Sequence, residues 1–277
     1  MDSTETKNIK QILPVKCRIT LRANKSGEIP LRNHSMMLGA IYNLFAQADP
    51  LFSYKHHKNT NVRPWSFSLL KFNSNPEPAE KNGFSEIKKN MSGFFYIKTI
   101  DSDTYRTLMK FSMQGSNFVL GRIPFTIESI DLNLGDINSI PKDINLIRIR
   151  LDSPTFFYNA SEKKIQEVNG ENFLKYQCEK FKQLGILNLE PKQLFPYLWI
   201  IKKNTFESWG YITDFSEEKG VFPFKGVVGK VTFKIVGEPS FRKLLGKILY
   251  LSEYTGIGTR TSMGFGHNTL LSIESNL

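Results

Sequence analysis

The chain has 277 residues, 40% hydrophobic and 13% aromatic, enough apolar material for one large packed domain or two ordinary ones. Its 37 basic against 26 acidic residues give a formal charge of +11, which favours a polyanionic partner, nucleic acid or an anionic membrane, with a merely solvated basic surface as the plain alternative. No apolar run reaches the roughly 20 residues of a bilayer span, MDSTETKNIKQ lacks the apolar segment of a secretory signal, and Cys17 and Cys178 have no metal-ligand spacing, so a cytoplasmic chain with two reduced, buried thiols and no zinc is expected.

The first regular element is an alternation. In VKCRITLR, Val15, Cys17, Ile19 and Leu21 face one way, and Lys16, Arg18, Thr20 and Arg22 the other, which predicts a half-buried strand with a cationic face. A helix capped by Asn33 follows, with Leu38, Ile41, Tyr42 and Phe45 at i, i+3, i+4, i+7 on one apolar face. RPWSFSLLKF (63–72) and GFFYIKTI (93–100) read as strands around the loop NSNPEPAEKNG. A helix over 101–114 and a strand in NFVLGRIPFTIESIDL complete a β-α-β-β-α-β order, the ferredoxin-like unit.

The pattern then restarts. INLIRIRLDSP alternates Ile147, Ile149 and Leu151 with Arg148 and Arg150. A helix is predicted over 171–184, and VVGKVTFKIVG sets Val231, Phe233 and Ile235 against Lys230, Thr232 and Lys234. SFRKLLGKILYLSEY reads as a helix capped by Ser240, and HNTLLSI as the last strand. The fold class is therefore α+β, two tandem domains divided in NSIPKDIN, at 1–142 and 143–277. The recurring cationic faces (Lys16, Arg18, Arg22; Arg148, Arg150; Lys230, Lys234) are either a platform facing a polyanion such as nucleic acid or solvated faces.

TGIGTRTSMGFGHN (255–268) carries Gly256, Gly258, Gly264 and Gly266 around Thr259, Arg260, Thr261 and Ser262. Nucleotide-cradling glycine loops precede a helix. Here the order is helix, loop, strand, without the Gly-Lys-Ser/Thr ending of a P-loop and with Thr261 at the third-glycine position of a dinucleotide fingerprint. Both nucleotide readings fail. What remains is a loop whose glycines admit positive φ and close approach of another backbone, with Arg260 and free amides for phosphate or sugar, or else a turn needed only to re-enter the sheet.

LYLSEYTGIGTRTSMGFG resembles the signature of the CRISPR repeat-processing endoribonucleases of the RAMP superfamily: a helix, G-x-G, five residues, G-x-G. HSMMLGAIYNLF, HHKNTNVRPWSFSLL and FPFKGVVGKVTFKI resemble, in order, that family's first helix, its His-loop-strand segment and the strand before its last helix. From about 75 to 215 only the element order matches. The resemblance implies two tandem ferredoxin-like (RRM-like) domains with a basic cleft between them. It further implies metal-independent cleavage of CRISPR precursor RNA within repeats, by 2′-OH attack, without a cofactor. The implied partner is CRISPR repeat RNA, single-stranded or hairpin, with other effector subunits as candidates, no membrane, and a monomer or homodimer as the working state. A non-catalytic repeat- or guide-RNA-binding RAMP subunit of an effector complex is the alternative.

In that family the functional histidine lies between the first helix and the basic-Pro strand, and some members pair it with a tyrosine fifteen positions earlier and a lysine six positions later. From His57 these offsets land on Tyr42 and Arg63, and from His56 on Ile41 and Val62. The resemblance thus assigns catalysis to His57, Tyr42 and Arg63, with arginine in the lysine position. An arginine stabilises phosphorane charge but exchanges no proton near pH 7. Tyr42 also fits a plain core role on its helix face, His56 an exposed loop, His34 a structural one. The resemblance gives RNA contact to Gly256, Gly258, Arg260, Gly264 and Gly266, with His267 beside them as a weaker candidate.

Overall fold

Alternation settles β1 (Val15–Ala23), which buries Val15, Cys17, Ile19 and Leu21 under α1 (His34–Ala48), the helix that follows β2 (Gly27–Pro30). The computed structural model describes residues 12–30, 34–58, 62–73, 77–78, 84–114, 117–159, 164–213 and 221–275, so the Asn33 cap lies outside the described residues. The chain continues through α2 (Pro50–Lys58), β3 (Trp65–Phe67), β4 (Lys71–Phe72), β5 (Glu77–Pro78), β6 (Phe84–Ile87), β7 (Ser92–Thr99), α3 (Ser102–Gln114), β8 (Asn117–Leu120) and β9 (Ile123–Leu134). The main sheet runs β3-β7-β1-β9-β8, with β4 also on β7, and β2-β6-β5 form a small second one.

The restart is real. β10 (Ile144–Thr155), β11 (Phe157–Asn159), β12 (Lys164–Gln166), α4 (Gly170–Gln183), β13 (Leu198–Thr213), β14 (Val221–Ile235), α5 (Pro239–Thr255) and β15 (Asn268–Ser275) follow. Their sheet runs β13-β14-β10-β15, every pairing antiparallel. In both sheets the unit's first strand lies between its third and its last, and the third lies beside the second, which is the ferredoxin-like order twice over. Each half has its own core, one around Phe45, Trp65, Phe95 and Phe111, the other around Ile149, Phe173, Phe181, Phe233 and Leu249.

Several expectations change. The segment holding His56 and His57 is helix α2, because Asp49 caps it, accepting from the Phe52 amide (3.0 Å), and Pro50 supplies the fixed φ of a first helical residue. The strand expected over 63–72 is broken into β3 and β4. α5 starts at Pro239 after Glu238, one residue before the expected Ser240 cap. The sixteen-residue β13 was not expected as a strand. Cys17 and Cys178 are free and buried, and burial pushes their thiols up to about 12 and about 11. Among the described residues no helix is long and apolar enough to cross a membrane.

A buried charge cluster joins the halves. Lys98 of β7, fully buried, donates from Nζ to Glu253 Oε1 of α5 (3.0 Å) and to the Asn268 carbonyl of β15 (2.5 Å), and Lys16 lies 3.6 Å from the same carboxylate. Burial pulls the Lys98 ammonium down to about 8 although Glu253 opposes the shift. Removing one member of such a pair strands the other, typically at about 3–5 kcal/mol. Glu253→Gln should therefore lower the denaturant midpoint by a loss of that order. An unchanged midpoint would mean the ammonium is solvated.

Candidate active site and RNA-facing surface

The glycine loop is built around the chain's own backbone. α5 ends at Gly256, whose φ is +78°, and a single 3-10 turn over Thr261–Met263 follows before β15. A Cβ on Gly258 would stand 2.4 Å from the Phe156 carbonyl oxygen, and one on Gly266 would stand 1.8 Å from that of Ile257. The Thr259 amide donates to Phe156 O and the Ile257 amide to Gly266 O, each at 2.8 Å. The close approach that the sequence left open for a partner is thus made by Phe156, between β10 and β11, and by the loop itself. Gly256, Gly264 and Gly266 are buried as well, and what the loop turns outward is Arg260, over the Phe224 ring at 4.7 Å.

Against this loop three elements bring Tyr42, His57 and Arg63 together. Tyr42, on the inner face of α1, meets the His57 ring of α2 edge-on with centroids 5.1 Å apart. The Arg63 guanidinium lies over the Tyr42 ring at 5.2 Å and over Trp65 at 5.7 Å, and donates from Nη1 to the Ser262 carbonyl (3.3 Å). His57 is exposed, Arg63 half-buried and Tyr42 buried. The Tyr42 hydroxyl donates to the His56 carbonyl (3.0 Å), and burial raises its pKa, with Arg63 opposing, so the phenol keeps its proton at neutral pH. Burial likewise lowers the Arg63 pKa, with Tyr42 opposing. His56 packs its ring on Phe52 at 4.3 Å.

The remaining histidines are structural in their contacts. His34 opens α1, stacks on Phe265 at 3.9 Å and donates from Nδ1 to the Met263 carbonyl (3.1 Å); burial pulls it down to about 4. His267 is fully buried, and burial, with Lys98, Lys71, Lys16 and Arg150 adding to it, holds it well below the usual histidine range.

The basic residues divide. Arg22 pairs with Glu128 and Arg148 with Glu274, Arg150 donates to Asp152 Oδ1 (2.6 Å), and Lys16 shares Glu253. Arg18 lies over Phe94 at 4.5 Å, while Lys230 and Lys234 are exposed on β14. The more exposed pairs, Arg22–Glu128 and Arg148–Glu274, are worth about 0–1 kcal/mol, little enough for a phosphate to compete. Arg150 and Lys230 share a groove of about 520 Å³ between the halves with Lys71, which sequence reasoning passed over; Asp152 is its one acid. That groove is the basic cleft.

Two family models match, one on each half: "CRISPR-associated protein Cas6, N-terminal" over residues 28–131, and "CRISPR-associated endoribonuclease Cas6" over 149–268. The chain belongs to the Cas6 family. It is accordingly an RNA-cleaving enzyme of CRISPR repeat processing. No curated protein matches the sequence. Among solved structures, Thermus thermophilus Cas6 superposes with a TM-score of 0.64 at 15% identity, over 94% of this chain and 99% of that one. A Cas6-related gene product of Pyrococcus furiosus gives 0.66 at 13% identity, over 94% and 99%. A RAMP protein described as binding different RNA substrates gives 0.64 at 13%, over 93% and 100%. At such identities the likeness speaks for the fold, the paired ferredoxin-like halves.

Proposed function

We propose that this Cas6 protein cleaves CRISPR repeat RNA without a metal, with residues 1–142 and 143–277 as its two domains and His57, Tyr42 and Arg63 as its reacting set. The observation that carries the reading is the convergence of these three residues, from α1, α2 and the segment before β3, against the glycine loop. The substrate supplies its own nucleophile: the 2′-oxygen bonds to the adjacent phosphorus, the bond to the 5′-oxygen breaks, and the products end in a 2′,3′-cyclic phosphate and a 5′-hydroxyl. The step needs proton transfer and a cation for the phosphorane. Imidazole is the side chain suited to proton transfer near neutrality, and the exposed His57 serves the first need. Arg63 serves the second, held by Ser262 and by the two aromatic faces. Tyr42 completes the set: its hydroxyl donates to the His56 carbonyl, and its ring meets both the histidine and the guanidinium. Membership of an endoribonuclease family, with a Cas6 product complex among the similar solved structures, supports repeat RNA as the ligand of the loop and the cleft. The basic residues Lys16, Arg18, Arg22, Arg148, Arg150, Lys230, Lys234 and Arg260 are assigned to its phosphates.

Cleavage of the repeat RNA should proceed in EDTA, and a single 2′-deoxy substitution before the cut should leave the RNA bound but intact. Strict dependence on added Mg²⁺, or normal cutting of the deoxy substrate, would replace internal attack by an activated water. Binding without any cutting would favour the guide-RNA-binding alternative.

A further inference from the structure

The carbonyls in the last turn of a helix lack intrahelical donors and need others. For the last two carbonyls at the end of α5, those of Thr255 and Gly256, these donors come from α4. Lys180 donates from Nζ to Gly256 O (2.7 Å) and Thr255 O (3.3 Å), and Gln177 donates from Nε2 to the same Gly256 O (2.8 Å). Both side chains are buried. An ammonium inside a protein is expensive unless its hydrogen bonds are met. Burial pulls the Lys180 amine down to about 7, so this lysine is a costly way to fill space. A cation is favoured at a helix C-terminus, which accounts for its direction but not for its being here.

What it holds is the start of the glycine loop. From Gly256 the chain runs six residues to Ser262, whose carbonyl receives Arg63 (3.3 Å), and one more to Met263, whose carbonyl receives His34. Lys180, Arg63 and loop residues 258–263 line one pocket of about 410 Å³. We infer that Lys180 and Gln177 are positioning residues for RNA cleavage: by tying down the carbonyl end of α5 they hold the loop where Ser262 keeps Arg63 over the Tyr42 ring. The inference rests on the reading of Arg63 as the group that meets phosphorane charge.

The test is a double-mutant cycle on repeat RNA under single-turnover conditions, with Lys180→Met, Arg63→Ala and their combination. Lys180→Met should lower the maximal rate about tenfold while the half-saturating protein concentration moves less than about threefold, the split expected when an interaction made in the transition state is lost. Its melting temperature should fall by only a few degrees, since Gln177 still serves Gly256 O and Thr255 O alone loses its donor, a cost of about 1–3 kcal/mol. In the Arg63→Ala background the same change should cost less than about twofold, because the group it positions is gone. An equal fall in both backgrounds, or no fall in either, overturns the positioning role. Arg63→Ala cutting at the wild-type rate overturns the reading of Arg63 instead, and the inference with it. Should Lys180→Met fail to fold, Gln177→Leu removes one bond to the same carbonyl. It must then slow the otherwise wild-type chain by about threefold or more and leave Arg63→Ala unaffected, or the role is overturned.

Discussion

Gly266→Val should leave little folded protein at 37 °C. The new Cβ would lie 1.8 Å from the Ile257 carbonyl oxygen, a distance no rotamer relieves, because both atoms belong to backbone. Gly266 has a φ of +64°, where a β-branched residue costs roughly 1–2 kcal/mol before any clash. To make room, the loop must give up Ile257 N–H to Gly266 O (2.8 Å) and Gly266 N–H to Pro154 O (3.0 Å). Each buried bond lost adds about 1–3 kcal/mol. The sum, about 3–8 kcal/mol, is comparable with the whole stability of many domains. Gly185→Ala is the control: its φ is +71°, but a Cβ there meets nothing within 4 Å. It should lower the melting temperature by only about 2–4 °C per kcal/mol, for a cost near 1–2 kcal/mol. A Gly266→Val protein that melts within a few degrees of wild type would mean that the two backbone segments are not in contact. Loss of RNA binding in this variant follows from loss of the loop.

The duplicated fold was legible because alternation survives in the strands that carry it. β1, β10 and β14 each bury one face, so Cys17, Ile149 and Phe233 announce their side without help. α2 did not announce itself: in PLFSYKHHK only Phe52 and Ser53 are buried, too few to make a stripe, although Asp49-Pro50 was a start signal. β13 exposes both faces along Lys202–Asn204 and around Phe206 and Glu207, so it shows no period at all. The glycine loop's positive φ could be read locally, but what approaches it could not. Phe156 and Phe67 come from distant sequence. The same limit applies to the site. Tyr42 on a helix face looked as much like core as like chemistry, and only the family's offsets chose it. The Arg63–Ser262 contact spans 199 residues. Lys180 sits among the charged residues of ENFLKYQCEKFKQL as if solvated, and Lys98 ends an ordinary strand. Their burial is decided by the packing of α5, which no local pattern records.

His57→Ala should lower the single-turnover cleavage rate by roughly 10²-fold or more, the usual scale for losing a general acid or base. Affinity for repeat RNA should hardly move, since binding a polyanion draws on many cations and one imidazole is a small share. The neighbouring histidine is the control that gives this result meaning. His56 presents its ring to Phe52, and what it offers Tyr42 is a backbone carbonyl, which His56→Ala keeps. That variant loses a ring contact worth about 0.5–1.5 kcal/mol and should stay within about tenfold of wild type. Two adjacent helical residues point about 100° apart, so α2 can offer only one of the pair to the Tyr42–Arg63 side, and the edge-on Tyr42 contact assigns that place to His57. If His56→Ala is dead while His57→Ala cuts, the two have exchanged places on α2 and the Tyr42 and Arg63 roles fall with the assignment. If both cut normally, neither imidazole moves the proton, and the reaction must find its base outside α2.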